Sequence, residues 1–503
     1  MQASDLSPAL GIALMVGLGA FMLTIALAVR AMVRNTHAFV IAGRRIPLGF
    51  GVGSVIAVWT WSMAVMMSSA QAYNFGVSGL LWFIVPNGLA VMLMVPFALR
   101  LRRQMPAGYT IVEFIRERFR SRTASSVMLA AMLFGLLAEI CINLFGVTLV
   151  MGVVFGLDAT AVLLISLAIV TVYSYFGGLW TSAITATFNT LLITVPAAIV
   201  VLYVLHEVGG PSLVFERVRD ADIANVHPFR WETASAFGLS LALGLLASTM
   251  ADQTFWQKVW AMKPRNLEKT FLWAGLWFYP IPIVLGLLGF VGIALGVTPE
   301  QLGGFGAGGV GPYVVSHLGL PVVLIALYVL IICNACYSSI DGAFSALSSV
   351  VAVDIVKRVA PRVPEKRLFA ITKASIVVAG AIGAVVASSG IDYVNLVEII
   401  FFLKAALVVP LALAIFWPRM TAPAFITAVV AAIAVGFPIR QNVSELDGLI
   451  ALMAVSVIAS VGISLLGRSR FDYSRLRESR TRLEAGEALS SGLGAERVAP
   501  ETT

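Results

Sequence analysis

The chain has 503 residues, of which 59% are hydrophobic and only 12% are charged. Soluble domains average about a quarter charged residues, so this composition excludes an ordinary soluble protein and indicates a polytopic membrane protein. The formal net charge of +8 requires no nucleic-acid partner, because the basic residues fall in alternate loops, which is the positive-inside pattern.

Apolar segments long enough to cross a bilayer recur along the chain. With about twenty residues allowed per span, thirteen are found, near 8–30, 48–70, 78–100, 124–154, 159–178, 182–205, 236–260, 271–297, 318–353, 369–389, 394–416, 420–437 and 446–467. Basic clusters follow the first, third, seventh, ninth and thirteenth of them. We therefore predict an all-α membrane protein of thirteen transmembrane helices, with the N-terminus outside and the C-terminus inside.

The predicted spans divide the chain into regions, although no sequence repeat of fixed period is present. Two halves of five spans each are the natural units of an inverted repeat, which would show only as matching topology. The predicted regions are a first helix with its cytoplasmic loop (1–47), a first repeat (48–205), an extracellular loop (206–235), a second repeat (236–419), two peripheral helices (420–467) and a charged, partly disordered cytoplasmic tail (468–503).

Two of the spans have the composition of interrupted helices. They contain the stretches Gly51–Ser62 and Gly244–Gln253, which are rich in glycine, serine and threonine. A broken helix exposes free carbonyl and N–H groups that bind ions and dipolar solutes without a buried charge. Each segment could equally be a continuous span with a few packing serines. Elsewhere, Thr110-Ile-Val-Glu113 is a capping box that predicts a helix over Ile111–Phe119.

A polar stripe runs along the ninth span. Ser338, Asp341, Ser345 and Ser348 or Ser349 are spaced by three and four residues and share one helix face. Such a stripe at membrane depth needs water, an ion or another helix. Positions 335, 338 and 339 also share one turn and offer neutral oxygens suited to a hard monovalent cation. The alternative is a helix–helix seam, which we expect for Ser348 and Ser349.

Enzyme chemistry has no support in the motifs. The chain has no H-E-x-x-H and no phosphate-binding G-x-x-x-x-G-K-[ST] sequence. Cys141, Cys333 and Cys336 lie in apolar segments and are interpreted as small core residues. We expect no enzyme activity, no organic cofactor and no obligatory protein partner, only the lipid bilayer and a small solute.

Several longer motifs resemble those of a known family. They are Tyr109-Thr-Ile-Val-Glu113-Phe114, Tyr175-Phe-Gly-Gly178-Leu, Asp252-Gln-Thr-Phe-Trp-Gln-Lys258, the serine stretch ending in Val353-Asp354-Ile, and Phe416-Trp-Pro-Arg419. The chain is similar in these segments to the sodium/solute symporters. That resemblance implies a LeuT-type fold with a 5+5 inverted-repeat core. Trp59-Thr-Trp61, Tyr73-Asn-Phe-Gly76 and Gly275-Leu-Trp-Phe-Tyr-Pro280 resemble the urea-transporter branch.

The resemblance also implies a sodium site. Its ligands fall on the carbonyls of Ala57 and Thr60 in the first broken helix, and on Ala335, Ser338 and Ser339 in the ninth span. Some members of the family hold a second sodium with an aspartate whose place here is taken by Ala186. Asp341 stands where those members have serine, so we predict a second cation or a proton near Asp341 and Ser345. Asp341 could instead hydrogen-bond nearby backbone.

The solute is harder to predict. Sugar-transporting relatives carry polar residues where this chain has Met63 and Ala64, which disfavours a sugar. Glu139 could accept hydrogen bonds from urea-like N–H groups, or could pair with Lys404 as a structural bridge. The predicted solute contacts are Trp59, Trp61, Ala64, Glu139, Asn143, Ser248 and Thr249.

The predicted function is secondary active transport in the cell membrane. Sodium, or protons, would drive uptake of a small polar solute, with urea or a related nitrogenous compound as the first choice. The alternatives are a symporter for another organic solute, such as an amino acid or a carboxylate, a passive channel, and a solute sensor. The short polar tail after Arg468 disfavours the sensor.

Overall fold

The computed structural model describes residues 6–388, 393–467 and 470–478. These residues are almost entirely helical, with an isolated bridge between Ile46 and Met262. The first part of the chain forms α1 Pro8–Val29, α2 Thr36–Ile41, α3 Leu48–Trp59, α4 Ser62–Gln104, α5 Ile111–Phe119, α6 Arg122–Phe155, α7 Ala159–Glu207 and α8 Pro211–Ala221.

The remainder adds fourteen helices, several of them short. They are α9 Trp231–Thr233, α10 Leu239–Met250, α11 Gln253–Ala261, α12 Leu267–Phe278, α13 Pro280–Ala294, α14 Pro299–Leu302, α15 Val310–His317, α16 Val322–Val350, α17 Lys357–Val359, α18 Glu365–Ala387, α19 Tyr393–Phe416, α20 Ala422–Asn442, α21 Glu445–Leu466 and α22 Arg475–Glu478. Single π-helical stretches, Ala234–Gly238 and Val351–Val356, precede α10 and follow α16.

Eleven helical stretches within the described residues are long and apolar enough to cross a membrane. Two of them, Ala64–Gln104 and Ala159–Glu207, have 41 and 49 residues. At a rise of about 1.5 Å per residue, either is far longer than a hydrocarbon core of roughly 30 Å. Each contains one glycine with non-helical angles, Gly76 and Gly178. The predicted number of thirteen spans and their orientation stay predictions.

The two glycines are required by both conformation and space. Gly76 and Gly178 have φ angles of +64° and +50°, a region that side chains other than glycine rarely enter. A Cβ at Gly76 would lie 2.2 Å from the carbonyl oxygen of Asn225, and one at Gly178 would lie 2.5 Å from that of Phe39. Each long helix is therefore interrupted where another segment packs directly on its backbone.

The two predicted helix interruptions are present. Between α3 and α4 the chain leaves helical geometry at Thr60 and Trp61. Between α10 and α11 it does so at Ala251 and Asp252, and the Asp252 side chain then caps α11 by accepting a hydrogen bond from the N–H of Thr254 at 2.8 Å. The prediction of broken second and seventh spans is confirmed, and the open alternative of continuous helices is wrong.

Helix α16 forms the centre of the bundle. It contacts α3, α6, α7, α11 and α18. In its most apolar stretch of 18 residues, 78% of the residues are buried. The corresponding share is 28% for α1, α18 and α21, so these helices are peripheral. The polar residues of α16 are consequently buried within the protein, and the helix contacts parts of both interrupted helices, α3 and α11.

Candidate ion and solute site

The predicted sodium ligands lie where α16 crosses the end of α3. Ser339 Oγ is 3.5 Å from the carbonyl oxygen of Val58. Ser338 Oγ is buried and makes no hydrogen bond to any of the described residues. The close approach depends on Gly342, since a Cβ there would lie 2.6 Å from Val58 Cγ2.

Backbone carbonyls complete this corner of the site. The helix α3 ends because the Thr60 N–H bonds to the carbonyls of both Ile56 and Ala57, at 2.8 and 3.3 Å. Beyond Thr60 the chain leaves helical geometry before α4 begins, so the carbonyls that follow Ala57 in the last turn have no following helical N–H. Ala57, Thr60, Ser338 and Ser339 are all buried, and the contact between Ser339 and Val58 brings their two helices together.

Asp341 lies one turn further along α16. Its Oδ1 accepts a hydrogen bond from Ser174 Oγ of α7 at 2.5 Å, and its Oδ2 has no partner within the described residues. Ser174 was not predicted, although it is a hydroxyl in an apolar span. Ala186 is buried on the same long helix.

Ser345 is engaged elsewhere. The amide Nε2 of Gln257 in α11 donates to Ser345 Oγ at 3.3 Å and to the Ser345 carbonyl at 3.1 Å. The two members of the predicted second cation site thus have different neighbours. Ser348 donates to the Ser345 carbonyl at 2.7 Å, in keeping with a packing role.

A small cavity lies beside the first helix break. Its lining residues are Trp59, Trp61, Ala64, Asn87, Leu245 and Phe401. The free volume is about 10 Å³, roughly the space that one water occupies. Trp61 stacks on Phe401 with centroids 6.1 Å apart, and Trp59 Nε1 donates to the Asn87 carbonyl at 3.1 Å. The three predicted contacts from the first broken helix are thus together in a closed site.

Asn143 holds the start of α4. Its Oδ1 accepts a hydrogen bond from the Ser62 N–H at 3.0 Å, and its Nδ2 donates to the Glu139 carbonyl at 2.9 Å. A residue of α6 therefore acts as the N-cap of a helix that follows the break, where Trp61 itself provides no side-chain cap. The amide of Asn143 positions the break.

Lys404 of α19 binds Asp252, not Glu139. Its Nζ lies 3.1 Å from Asp252 Oδ2 and donates to Ser248 Oγ at the same distance. It also lies 5.1 Å from the ring centroid of Trp61. The alternative of a Glu139–Lys404 bridge is therefore wrong, because the capped first turn of α11 brings Asp252 to the ammonium.

Glu139 is fully buried, and neither carboxyl oxygen accepts a hydrogen bond from an N–H or O–H group of the described residues. The charged groups around it are Asp252, Lys404 and Lys258. Asp252 and Lys258 were not predicted as site residues. The available signal was their charge inside or beside apolar spans.

The predicted contacts from α10 do not line the cavity. Thr249 Oγ1 donates to the carbonyls of Ala90 and Leu246 at 3.3 and 3.2 Å. Ser248 is fully buried and accepts a hydrogen bond from the Lys404 ammonium. In this closed conformation α10 therefore reaches the cavity through Leu245.

A second network closes the end of the bundle at which α5 lies. Gln253, the first residue of α11, accepts a hydrogen bond from the Ile111 N–H at 3.0 Å. Its Nε2 donates to the Tyr109 carbonyl at 3.0 Å and to Ser349 Oγ at 3.3 Å. One side chain thus joins the broken helix to α5 and α16, and Ser349 does more than pack.

The capping box of α5 is confirmed with one change. Thr110 Oγ1 accepts from the Glu113 N–H at 3.0 Å, but Glu113 reaches back to the N–H of Tyr109, at 2.9 Å, instead of that of Thr110. Thr110 Oγ1 also donates to Asp354 Oδ2 at 2.7 Å. Burial raises the pKa of Glu113 to about 8, and nearby Asp354 acts in the same direction against the opposing effect of Arg116.

His37 of α2 lies at the same end. Its Nδ1 is 2.6 Å from the hydroxyl of Tyr109. Burial, together with the charges of Arg44 and Arg45, lowers the pKa of His37 to about 4. The imidazole is therefore neutral at physiological pH. No group of three or more His, Cys, Asp or Glu side chains in the described part of the chain could hold a metal ion.

Residues 39–431 match the sequence profile of the sodium:solute symporter family. The chain belongs to this family. Among curated relatives, it is 24% identical to the probable urea active transporter 1 of Schizosaccharomyces pombe, over 76% of this chain and 61% of that protein. It is 23% identical to the urea-proton symporter DUR3 of Oryza sativa subsp. japonica, over 98% of this chain and 76% of that protein. The chain thus spans about three fifths of the first of these relatives.

Solved structures support the family fold. The chain matches a Na⁺-coupled sialic acid symporter in a substrate-bound outward-open state, with a TM-score of 0.77, 20% identity and coverage of 92% of this chain and 98% of that one. Similarity at this level of identity establishes the fold. The protein is an integral, multi-pass membrane protein with a LeuT-type core.

Proposed function

We propose that this symporter couples a monovalent cation, sodium or a proton, to the import of a small polar nitrogenous solute across the cell membrane, with urea as the first candidate. It has thirteen spans, with the N-terminus outside and the C-terminus inside. The observation that carries the proposal is the corner at Ser338 and Ser339. The buried Ser338 hydroxyl has no partner among the described residues, which costs free energy, and its neighbour Ser339 lies 3.5 Å from the Val58 carbonyl at the end of α3.

The proposed sodium ligands are the carbonyls of Ala57, Thr60 and Ala335 with the hydroxyls of Ser338 and Ser339. Neutral oxygens hold a monovalent cation without trapping it, so the ion can leave after transport. Movement of one charge down about 100 mV releases roughly 2.3 kcal/mol, which corresponds to about fifty-fold accumulation.

We propose that the solute binds beside the first helix break. Trp59, Trp61 and Ala64 form apolar walls for a small planar molecule. Glu139, which is buried but does not line this cavity, is our proposed acceptor for N–H donors when the site opens. The names of two relatives, a urea active transporter and a urea-proton symporter, favour urea. Because the cavity is closed, rocking of the helices must open it to admit solute.

Uptake into proteoliposomes tests the proposal. The solute panel contains urea, polyamines, amino acids and carboxylates, each with an imposed sodium or proton gradient. We expect urea or a related compound to accumulate, and the double variant S338A/S339A to raise the half-saturating sodium concentration at least tenfold. Ser348→Ala is the matched control, because Ser348 is a buried serine of the same helix already bonded to a carbonyl.

Other outcomes separate the rival functions. Equilibration without accumulation would indicate a passive channel. Binding of a solute without any flux would indicate a sensor. If no solute accumulates under either gradient, the symport proposal fails.

A further inference from the structure

Five buried charged side chains form a continuous cluster between α16 and α19. They are Glu139, Asp252, Lys258, Asp341 and Lys404, and none is more than 4% exposed. Lys258 is the link, because its ammonium is near enough to interact electrostatically with Asp252, Glu139 and Asp341. Lys404 and Asp252 are in direct contact. The cluster therefore extends from the proposed ion site to the proposed solute site.

The charges of the cluster do not balance. Three carboxyl groups and two ammonium groups carry a formal charge of −1 when all are ionised. The remaining neighbours of Asp341 are neutral, namely Ser174, Ser182 and Tyr173. Those of the two lysines are Thr254, Ser248 and Trp61. A net charge buried in protein is costly unless an ion or a proton neutralises it.

We propose that the cluster holds one monovalent cation at a time: sodium at the corner formed by Ser338 and Ser339, or, without sodium, a proton on Glu139. The inference rests on the proposed function, and it adds that the two ions exclude one another.

The hydrogen bonds select Glu139 as the proton carrier. Asp252 is stabilised as a carboxylate by the N–H and hydroxyl of Thr254 and by Lys404. Asp341 receives the hydroxyl of Ser174. Glu139 receives no such donor from the described residues, and the negative charge of Asp252 lies near enough to repel an ionised Glu139. A carboxylate without donors and near a like charge is stabilised by taking up a proton.

The exchange explains how one chain could use either ion. When sodium binds, the added positive charge lets Glu139 ionise, and its proton leaves to solvent. When the proton stays, sodium is not required for neutrality. The net charge of the cluster together with its bound ion is the same in both cases.

Proton release on sodium binding tests the inference without any solute. Purified protein in weakly buffered solution receives sodium chloride or, as a control, choline chloride, and a pH-sensitive dye records released protons. We expect about one proton per sodium bound, and close to none in Glu139→Gln. Asp354→Asn is the matched control: Asp354 is equally buried but is bonded to Thr110 and Arg116 outside the cluster, so this variant should release protons as the wild type does.

A second measurement covers the case in which Glu139→Gln does not fold. In wild-type protein, the apparent sodium affinity should fall about tenfold per pH unit below the point at which Glu139 takes up its proton. Sodium binding without proton release, equal release from Glu139→Gln, or a pH-independent affinity overturns the inference. Intact sodium–proton exchange in a protein that accumulates no solute contradicts only the proposed function.

Discussion

The ammonium of Lys404 contacts the carboxylate of Asp252 at 3.1 Å and so joins α19 to the first turn of α11 across a helix break. Both side chains are buried. Removal of one partner leaves the other as an uncompensated buried charge, which costs about 3–5 kcal/mol. We therefore expect Lys404→Met to destabilise the protein strongly, and the double variant K404M/D252N to recover part of the loss. Thermal unfolding in detergent measures both.

An exposed pair of similar length is the control. Arg219 and Asp220 are 3.0 Å apart, with more than half of each side chain exposed. Arg219→Gln should cost less than about 1 kcal/mol. Equal losses in the buried and exposed pairs would contradict the role given to burial.

Asn143 should control the geometry of the first break. In Asn143→Ala the Ser62 N–H loses its acceptor, a loss of about 1–2 kcal/mol by analogy with helix caps. Because Trp61 and Thr60 lie next to this N–H, we expect the half-saturating concentrations of sodium and solute to rise as well. Sodium titration of uptake measures the effect.

The control is an ordinary cap on the same helix as Asn143. Ser121 accepts a hydrogen bond from the Ala124 N–H at 3.2 Å. Ser121→Ala should lower stability similarly but leave the sodium dependence unchanged. A shift in sodium dependence in both variants would show that Asn143 acts only through stability.

Gly342 sets the distance between α16 and α3. A methyl group there would lie 2.6 Å from Val58 Cγ2, and valine is too stiff to move aside. We expect Gly342→Ala to weaken sodium binding about tenfold or more, roughly 1.4 kcal/mol, and the double variant G342A/V58A to restore part of it. Gly17→Ala, where nothing lies within 4 Å of the added atom, should have no effect. Unchanged sodium affinity in Gly342→Ala would argue against a site between these helices.

Asp341 should affect ion use. The Asp341 carboxylate is buried, and one of its oxygens has no partner among the described residues. Its replacement by a neutral amide removes one negative charge from the cluster. We expect Asp341→Asn to alter both the sodium dependence and the pH profile of uptake. If both stay as in the wild type, Asp341 has only a structural role, such as its bond with Ser174.

His37 should make the protein sensitive to acid. Its pKa is about 4 in the folded protein, against an ordinary value of 6.5. Between these values the unfolded chain binds a proton that the folded protein excludes, so stability falls as the pH decreases from 6.5 to 4, by up to about 1.4 kcal/mol per pH unit. Melting curves of the wild type and of His37→Gln across this range measure the effect. The variant should lose part of the pH dependence, and an unchanged dependence would contradict the assignment.

Much of the architecture follows from local sequence. Apolar length predicts an all-helical membrane protein, although the number of spans stays a prediction. The Thr110–Glu113 box predicts α5 to the residue, and the glycine- and serine-rich stretches predict both helix breaks. These features depend only on residues that are close together in the sequence. The register of Ser338 and Ser339 on one turn follows from helical spacing alone.

Contacts between distant helices could not be predicted in the same way. The partner of Lys404 depends on how α11 is turned after its break, and that rotation is set by the cap of Asp252 and by packing against α16. Glu139 and Asp252 are both acids, so charge alone could not decide between them. For the same reason the partnership of Asp341 with Ser174, 167 residues away, carried no sequence signal.

Gln253 has a kinetic consequence. Its amide binds the start of α5, the Tyr109 carbonyl and Ser349 at once, so α11 cannot swing away from that end of the bundle by small steps. Separation of α11 from this end of the bundle requires the loss of all three hydrogen bonds. We therefore expect the loss of these hydrogen bonds to contribute to the rate of the transport cycle.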